Sequence, residues 1–375
     1  MNPTLNGHFQ SSQNGYKYYL PSLINRDHIF SPEVYNLCIK ASQKLAELNA
    51  FSNFAPDISF FIQMHIGKEA LHSNKIEGTK TEMEDLYIDN ALIPDEKRNE
   101  LEEVKNYIKS LNYGITRMEE LPLSTRLLQE CHKILLEGVR GKNKNPGKFR
   151  HSQNWIGGAT IMDAHFVPPS QEHIPELMSD LEKFLHYNSC PELIKIGIAH
   201  YQFETIHPFL DGNGRVGRLL ITLYLIHSRL LYKPVLYLSE FFEKNQSLYY
   251  QNLDIGRTNA GLDKWLKFFL VGVAQTAEKN LIKLEKIVKL KLEIEKKIME
   301  LGRRAKNAQL ILDYLFTNPV ISVAKAQKIA NLSSHSAANN LINDFARLGI
   351  LDEKTKFKRN RVFVFREYLE IFQKS

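Results

Sequence analysis

The chain has 375 residues, 24% of them charged, a net charge of +7 and three cysteines. That length can bury a sizeable core without covalent staples and leaves room for two or three domains. Cys38, Cys131 and Cys190 are odd in number and far apart, which fits neither a disulfide framework nor a zinc site and points to a reducing cytoplasm. The charge is mild for the size and does not demand nucleic acid. The N-terminus, MNPTLNGHFQSSQNGYKYYLP, has no apolar signal-peptide core, and no apolar run reaches the length of a membrane span.

Residues 1–30 are rich in Asn, Ser, Gly and Tyr and read as an irregular arm over the body. Ser31 then offers an N-cap and Pro32 a first helical position, with Val34, Leu37, Cys38, Ala41 and Leu45 following at helical spacing. Further helices are expected over Ile58–Ile76, ended by Gly78, over Leu101–Leu111 and over Leu123–Leu136. The turn-rich GVRGKNKNPGKFR breaks this pattern. Short runs at Asn154–Ile156 and Ala164–Val167 flank a loop with Gly157 and Gly158, a β-hairpin stopped by Pro168 and Pro169. Helices resume near Glu172 and include Leu193–Phe203 and the almost wholly apolar Leu219–Ile226.

Lys279 to Leu301 reads as a long charged helix whose stripe packs on its own domain rather than forming a free coiled coil. Beyond Gly302, the expected order is helix (Ala308–Phe316), strand (Val320–Ser322), two helices (Ala324–Ala330 and Ser336–Leu348), then Ile350–Leu351 and Arg361–Phe365 around the basic turn KTKFKRN. That order resembles a winged helix-turn-helix. Its wing carries Lys354, Lys356, Lys358, Arg359 and Arg361, but its reading helix has only His335 and Arg347 as cationic candidates, which is poor equipment for DNA.

The most informative stretch is His207-Pro208-Phe209-Leu210-Asp211-Gly212-Asn213-Gly214-Arg215-Val216-Gly217-Arg218. Glycines let backbone N–H groups approach phosphate, and a following helix N-terminus adds its positive end. Arginines neutralise phosphate oxygens, a carboxylate can hold Mg²⁺, and a histidine can accept a proton near neutral pH. This is the inventory for holding a metal-bound polyphosphate beside a nucleophile that must lose a proton.

The run resembles the Fic motif, H-x-F-x-[DE]-G-N-G-R-x-x-R, at every fixed position. The resemblance implies a mainly α fold, a Fic-type helical core with a β-hairpin flap, here with a C-terminal winged helix-turn-helix. It implies transfer of AMP from ATP to Ser, Thr or Tyr hydroxyls of proteins. His207 would be the base, Asp211 the Mg²⁺ ligand, and Gly212, Asn213, Gly214 and Arg215 the cradle of the α- and β-phosphates. Arg218 would pair with the γ-phosphate, and Phe209 would anchor the loop. A kinase-like branch carries a bulkier basic residue at the place of Gly214, so AMP transfer is favoured. Ser73-Asn74-Lys75-Ile76-Glu77-Gly78 matches [ST]-x-x-x-E-[GN], the family's inhibitory-helix motif, which makes Ser73 and Glu77 a candidate brake. The hairpin falls at the family's flap, with Trp155, Ile156, Gly157, Phe166 and Val167 as the target-docking residues. Tyr249 and Tyr250 are candidate walls of the adenine pocket, with Asn252 on the base.

The expected division is 1–120 for the N-terminal region, 121–275 for the catalytic domain, 276–304 for a linker helix and 305–375 for a separable winged helix. Protein substrates, the chain itself included, are the expected partners. A homodimer and DNA remain candidates, and no membrane is expected. Removal of AMP from a modified protein, with Glu77 positioning a water, and a nucleotide-sensing DNA-binding regulator are the alternatives. The intact His207 speaks against a mere sensor.

Overall fold

The computed structural model describes residues 7–373 apart from 25, 27–28, 55–57, 88–94, 140, 142, 188–189, 258–260 and 355–360. The architecture is mainly α. An N-terminal hairpin, β1 (His8–Ser11) and β2 (Lys17–Leu20), leads into α1 (Pro32–Phe54), α2 (Ser59–Ile76), α3 (Asp95–Arg117) and α4 (Thr125–Leu135). An irregular stretch then precedes α5 (Ile174–Leu185), α6 (Glu192–Ile206), α7 (Asn213–His227), α8 (Ser239–Lys244), α9 (Gln246–Gly256) and α10 (Gly261–Met299). The C-terminal part comprises α11 (Ala305–Thr317), β3 (Val320–Ser322), α12 (Val323–Ile329), α13 (His335–Arg347), β4 (Asp352–Glu353), β5 (Val362–Val364) and α14 (Arg366–Gln373).

The arm expected to be irregular contains an antiparallel ladder, Phe9 opposite Tyr19 and Gln10 opposite Tyr18. Gly15, at φ +85°, supplies the left-handed turn residue. The Tyr19 N–H also donates to the Val167 carbonyl at 2.9 Å, so the hairpin is held by a partner 148 positions away that local composition does not reveal. Ser31 precedes α1 as expected, but its hydroxyl is buried without a hydrogen-bond partner among the described residues. It does not act as the cap.

Two helices are apolar on nearly every face, and they form the centre. Every residue of α6 from Leu193 to Ile206 is buried, and so is α7 from Arg215 through Leu225. A helix without a polar face must be enclosed, and α5, α9, α10 and α1 enclose α6. The stretch expected as a linker from 276 is the second part of one 39-residue helix that starts at Gly261. Its first half carries Trp265, Leu266, Phe269 and Leu270 into the core, and its second half buries Leu284, Ile287, Ile294 and Ile298; α1, α11 and α14 are among the helices packed on it.

The C-terminal elements follow winged helix-turn-helix order, with a three-stranded antiparallel sheet arranged β3-β5-β4. Within it Arg347 pairs with Asp344 (2.7 Å) and Arg361 with Glu353 (2.7 Å), so these two cations already have acidic partners. Lys356, Lys358 and Arg359 of the expected basic wing lie outside the described residues. The apolar core is continuous from α6 and α7 into this part. Phe316 of α11 meets Phe60 of α2 at 5.0 Å between rings, and Phe372 of α14 meets Phe61 at 6.0 Å and His65 at 5.6 Å. The Lys68 ammonium donates to the Phe372 carbonyl at 2.6 Å. The helix that bears Ser73 and Glu77 is thus held from behind by the C-terminal part. No described helix is long and apolar enough to cross a membrane.

Candidate active site

The twelve-residue motif forms the joint between α6 and α7. His207 is the C-cap of α6 in the left-handed conformation (φ 51°), which a non-glycine residue adopts only when its surroundings enforce it. Arg150 is the enforcing group. Its Nε donates to the His207 carbonyl (3.0 Å), and its terminal nitrogens donate to the carbonyls of Ser152 and Pro169. The Arg150 N–H donates in turn to the Pro208 carbonyl at 2.9 Å. This side chain is 1% exposed, and burial draws its pKa down to about 10.

Phe209 is fully buried, as expected for an anchor. It stacks on His132 at 3.8 Å with planes 13° apart. The Gly147 N–H donates to His132 Nδ1 at 2.8 Å, so Nε2 carries the hydrogen and donates to the Asp211 carbonyl at 3.0 Å. Asn213 closes the loop from the other side. Its Oδ1 accepts from the Phe209 N–H and its Nδ2 donates to the Phe209 carbonyl, both at 2.8 Å. The Asn213 side chain is therefore engaged, and its backbone N–H is what remains to meet a ligand. Gly212, at φ +76°, turns the chain into α7, whose first-turn N–H groups have no intrahelical acceptor.

The two arginines are buried and paired. Arg218 Nη2 lies 2.8 Å from Glu77 Oε1 and 2.9 Å from the Ser73 carbonyl, and Nε donates to Ser73 Oγ at 2.8 Å. Ser73 and Glu77 thus meet Arg218 together, one helical turn apart. Burial pushes the Glu77 carboxyl up, but Arg218 overrides it and holds the pKa below the ordinary value. Arg215 Nη1 lies 3.1 Å from Glu103 Oε2, and Nη2 3.4 Å from Asp211 Oδ1. Asp211 Oδ1 also accepts from the Gly212 N–H at 2.6 Å, while Oδ2 makes no hydrogen bond among the described residues. No described cluster of three or more His, Cys, Asp or Glu could form a metal cage. A lone carboxylate oxygen still suits Mg²⁺, which keeps waters and takes its other ligands from phosphate.

Burial, followed by the charge of Arg150, brings the His207 pKa down to about 4, so the ring is neutral at pH 7. Its Nδ1 is buried without a hydrogen-bond partner among the described residues. Glu204, one turn earlier, is buried with Oε1 unpartnered among the described residues, and burial raises its pKa to about 7.

The expected flap hairpin narrows to one bridged pair. The Ile156 N–H donates to the Phe166 carbonyl at 2.8 Å and the Phe166 N–H to the Ile156 carbonyl at 3.1 Å. Trp155 is 42% exposed, while Phe166 and Val167 are buried, with the Arg257 guanidinium 3.4 Å from the centre of the Phe166 ring. Tyr249 belongs to the aromatic core. Its hydroxyl donates to His200 Nε2 (2.8 Å), and its ring stacks on Phe242 at 4.4 Å. Tyr250 is 44% exposed, and Asn252 Nδ2 donates within its own helix to the Leu248 carbonyl. Sequence reasoning missed Arg150, His132, Glu103 and Glu204. Each reaches the motif through tertiary contact rather than spacing, except Glu204, whose place three residues before His207 was a usable signal.

Residues 122–225 match the Fic/DOC family and residues 35–116 match the Fic/DOC family N-terminal region. The chain thus carries regions that match the Fic/DOC domain and its N-terminal companion. It is similar to protein adenylyltransferase Fic of Drosophila ananassae, 28% identical over 192 residues (50% of this chain, 34% of that protein). It is also similar to protein adenylyltransferase fic-1 of Caenorhabditis elegans, 30% identical over 138 residues (35% and 25%). The chain spans less than half the length of the curated relatives it matches. Among solved structures, a Fic family protein from Desulfovibrio desulfuricans shares the fold at TM-score 0.59 and 20% identity, covering 91% of this chain and 98% of that one. Fic-1 from C. elegans does so at TM-score 0.51 and 21% identity, covering 68% and 73%.

Proposed function

We propose that this chain is a protein adenylyltransferase restrained by its own α2. The observation that supports it most is the joint of α6 and α7, which sets a neutral histidine beside the open N-terminus of a helix between two arginines. ATP would lie with its α- and β-phosphates on the N–H groups of Gly212 to Arg215. Arg215 would hold the β-phosphate and Arg218 the γ-phosphate. A Ser, Thr or Tyr hydroxyl of the target attacks the α-phosphorus. The new O–P bond forms as the bond to the bridging oxygen breaks, and pyrophosphate leaves. His207 takes the hydroxyl proton at Nε2, since Nδ1 is buried. Asp211 Oδ2, without a hydrogen bond among the described residues, would hold Mg²⁺, which when bound neutralises phosphate charge. Ile156 and Gly157 would offer main-chain groups to an extended target segment, with Trp155 and Tyr250 as exposed aromatic surface.

In the state described here Glu77 and Ser73 hold the guanidinium that the γ-phosphate needs. One fork cannot serve both fully, so ATP would sit with its α-phosphorus poorly aligned. Incubation with α-labelled ATP, Mg²⁺ and cell lysate tests the activity. Labelled protein bands that disappear with His207→Ala support it, and their absence even with Glu77→Gly rejects it. The hydrolytic alternative draws support from the electrostatic reach of Glu77 to His207, which suits a carboxylate that positions a water. Faster loss of label from a pre-labelled protein with wild type than with Glu77→Gly would favour that reading.

A further inference from the structure

The flap has little ladder of its own. The bridged pair Ile156 and Phe166 joins its two sides, and an isolated two-stranded hairpin is marginal in water. Successive residues of a strand turn their N–H and C=O groups to opposite edges. The Phe166 groups face Ile156, so those of Val167 face away from it. There the Val167 carbonyl accepts the Tyr19 N–H of β2 at 2.9 Å, and β1 pairs with β2 in turn. The two sides of the flap, β2 and β1 thus form one ribbon, four segments wide. An extended target segment laid beside Ile156 and Gly157 would be its fifth member.

Tyr19 is the joint of this ribbon, and it is buried. Its hydroxyl accepts from the Gly7 N–H at 2.7 Å and donates to the Arg257 carbonyl at 3.3 Å. Its ring centre lies 5.4 Å from that of Phe9 and 6.1 Å from that of Phe166. Phe166 in turn carries the Arg257 guanidinium on its face. Arg257 Nη1 donates to Asp254 Oδ1 at 2.5 Å, and Asp254 Oδ2 meets His165 Nε2 at 2.7 Å. The end of α9 therefore grips the flap through side chains, while the arm grips it through main chain, along the direction in which a target strand would add. None of these contacts involves the motif or its two arginines.

We propose that the N-terminal hairpin is the positioning element of the flap, with Tyr19 as the positioning residue that sets the edge on which an extended protein segment docks. This rests on the reading of the flap as the target-docking edge. A strand already held in place removes the ordering cost that a target's main-chain hydrogen bonds would otherwise have to offset. Loosening the arm therefore weakens capture of the protein target. Nucleotide binding and the chemical step, which belong to α7 and His207, are left as they were.

The chain has two tryptophans, Trp155 on the flap and the fully buried Trp265. Acrylamide quenching of the full chain therefore reads the flap, and the Trp155→Phe protein supplies the Trp265 background. Two variants loosen the arm. Tyr19→Ala removes the joint. Gly7→Val acts on the arm alone, since a side chain there would place its Cβ 1.9 Å from the Leu20 carbonyl oxygen. In both, the Trp155 quenching constant should rise about 1.5-fold or more while Trp265 stays protected. Tyr19→Phe, which keeps the ring and the main-chain bond, should rise less. AMP transfer is measured in the Glu77→Gly background with the His207→Ala chain as acceptor. The KM for that acceptor should rise roughly 5-fold in both arm variants, with kcat and the KM for ATP within about 2-fold of the parent. Unchanged Trp155 quenching in both variants would overturn the proposal. So would an acceptor KM that does not move, or Trp265 becoming quenchable in Gly7→Val, which would make the arm a general support of the fold. If Glu77→Gly transfers no AMP at all, the adenylyltransferase reading fails, and the quenching still decides whether the arm holds the flap.

Discussion

Glu77 Oε1 and Arg218 Nη2 meet at 2.8 Å beside Gly214, where a methyl group would fall 2.6 Å from the same carboxylate oxygen and 2.9 Å from Arg218 Nη1. The motif glycine therefore leaves room for phosphate and, in this state, for the carboxylate in its place. Glu77→Gly is expected to raise AMP incorporation at least 10-fold. Arg218→Ala should remove that gain in the double variant. Labelled-AMP incorporation by the three proteins is the measurement, and equal incorporation by wild type and Glu77→Gly would reject restraint by α2.

His207→Ala should lose activity by ~10²–10⁴-fold in the Glu77→Gly background, since a positioned base commonly contributes that much. Nucleotide affinity should change little, because in the proposed pose the phosphate contacts come from α7 and the arginines. Equilibrium binding of ATP beside the rate measurement separates the two effects. A variant that loses ATP binding and rate together would make His207 a structural residue instead.

Removing residues 302–375 should weaken the restraint. The cut uncovers Phe60 and Phe61 and takes away the carbonyl that Lys68 uses. The shortened chain is expected to fold, to melt at least about 5 °C lower, and to incorporate AMP several-fold faster than the full chain. Phe372→Ala, a buried truncation costing about 3–5 kcal/mol, should move both readouts the same way. Unchanged incorporation in both would uncouple the C-terminal part from α2.

Acid should unfold this protein early. His132 and His200 are fully buried, and each is a neutral tautomer fixed by a donor on one nitrogen and an acceptor on the other. Burial lowers their pKa values to about 4 and about 3. Between the ordinary value near 6.5 and those folded values, the unfolded chain binds more protons, so stability falls as pH falls through that window. The loss is roughly 2 kcal/mol per histidine between pH 7 and pH 5. Urea unfolding at half-unit steps would show it, and a flat profile from pH 7 to pH 5 would contradict the buried neutral state.

The site was legible where its information is local. Twelve consecutive residues carry His207 through Arg218, and a second short string carries Ser73 and Glu77. Pairing of the two strings across 141 positions was expected from the resemblance of the second string to the family's inhibitory-helix motif, and a carboxylate's attraction to a buried guanidinium is its physical basis. The supports were not legible. Arg150 sits in a turn-rich run where arginines are common, and only the fold brings its donors to the Ile206, His207 and Pro169 carbonyls. Glu103 is one acid among many on a charged helix until Arg215 arrives. The start of α10 was hidden by a change of pattern, from a first half dense in large apolar residues such as Trp265, Phe268 and Phe269 to a more charged, striped second half, which imitates a boundary. In α14, Tyr368, Leu369 and Phe372 stand at helical spacing, a signal that was present but short.

The 39 residues of α10 make a rod of about 58 Å at 1.5 Å per residue, unbroken from beside α6 to the start of the C-terminal part. That part is not a passenger on a string. A macromolecule captured by α13 and its sheet would be presented to the flap at a set distance and in a set orientation. Because that part also packs on α2 through Phe316 and Phe372, one residue added to α10 would set a turn of about 100° against those contacts, while a full turn would restore the facing, so the hold on α2 should vary with the pitch of a helix.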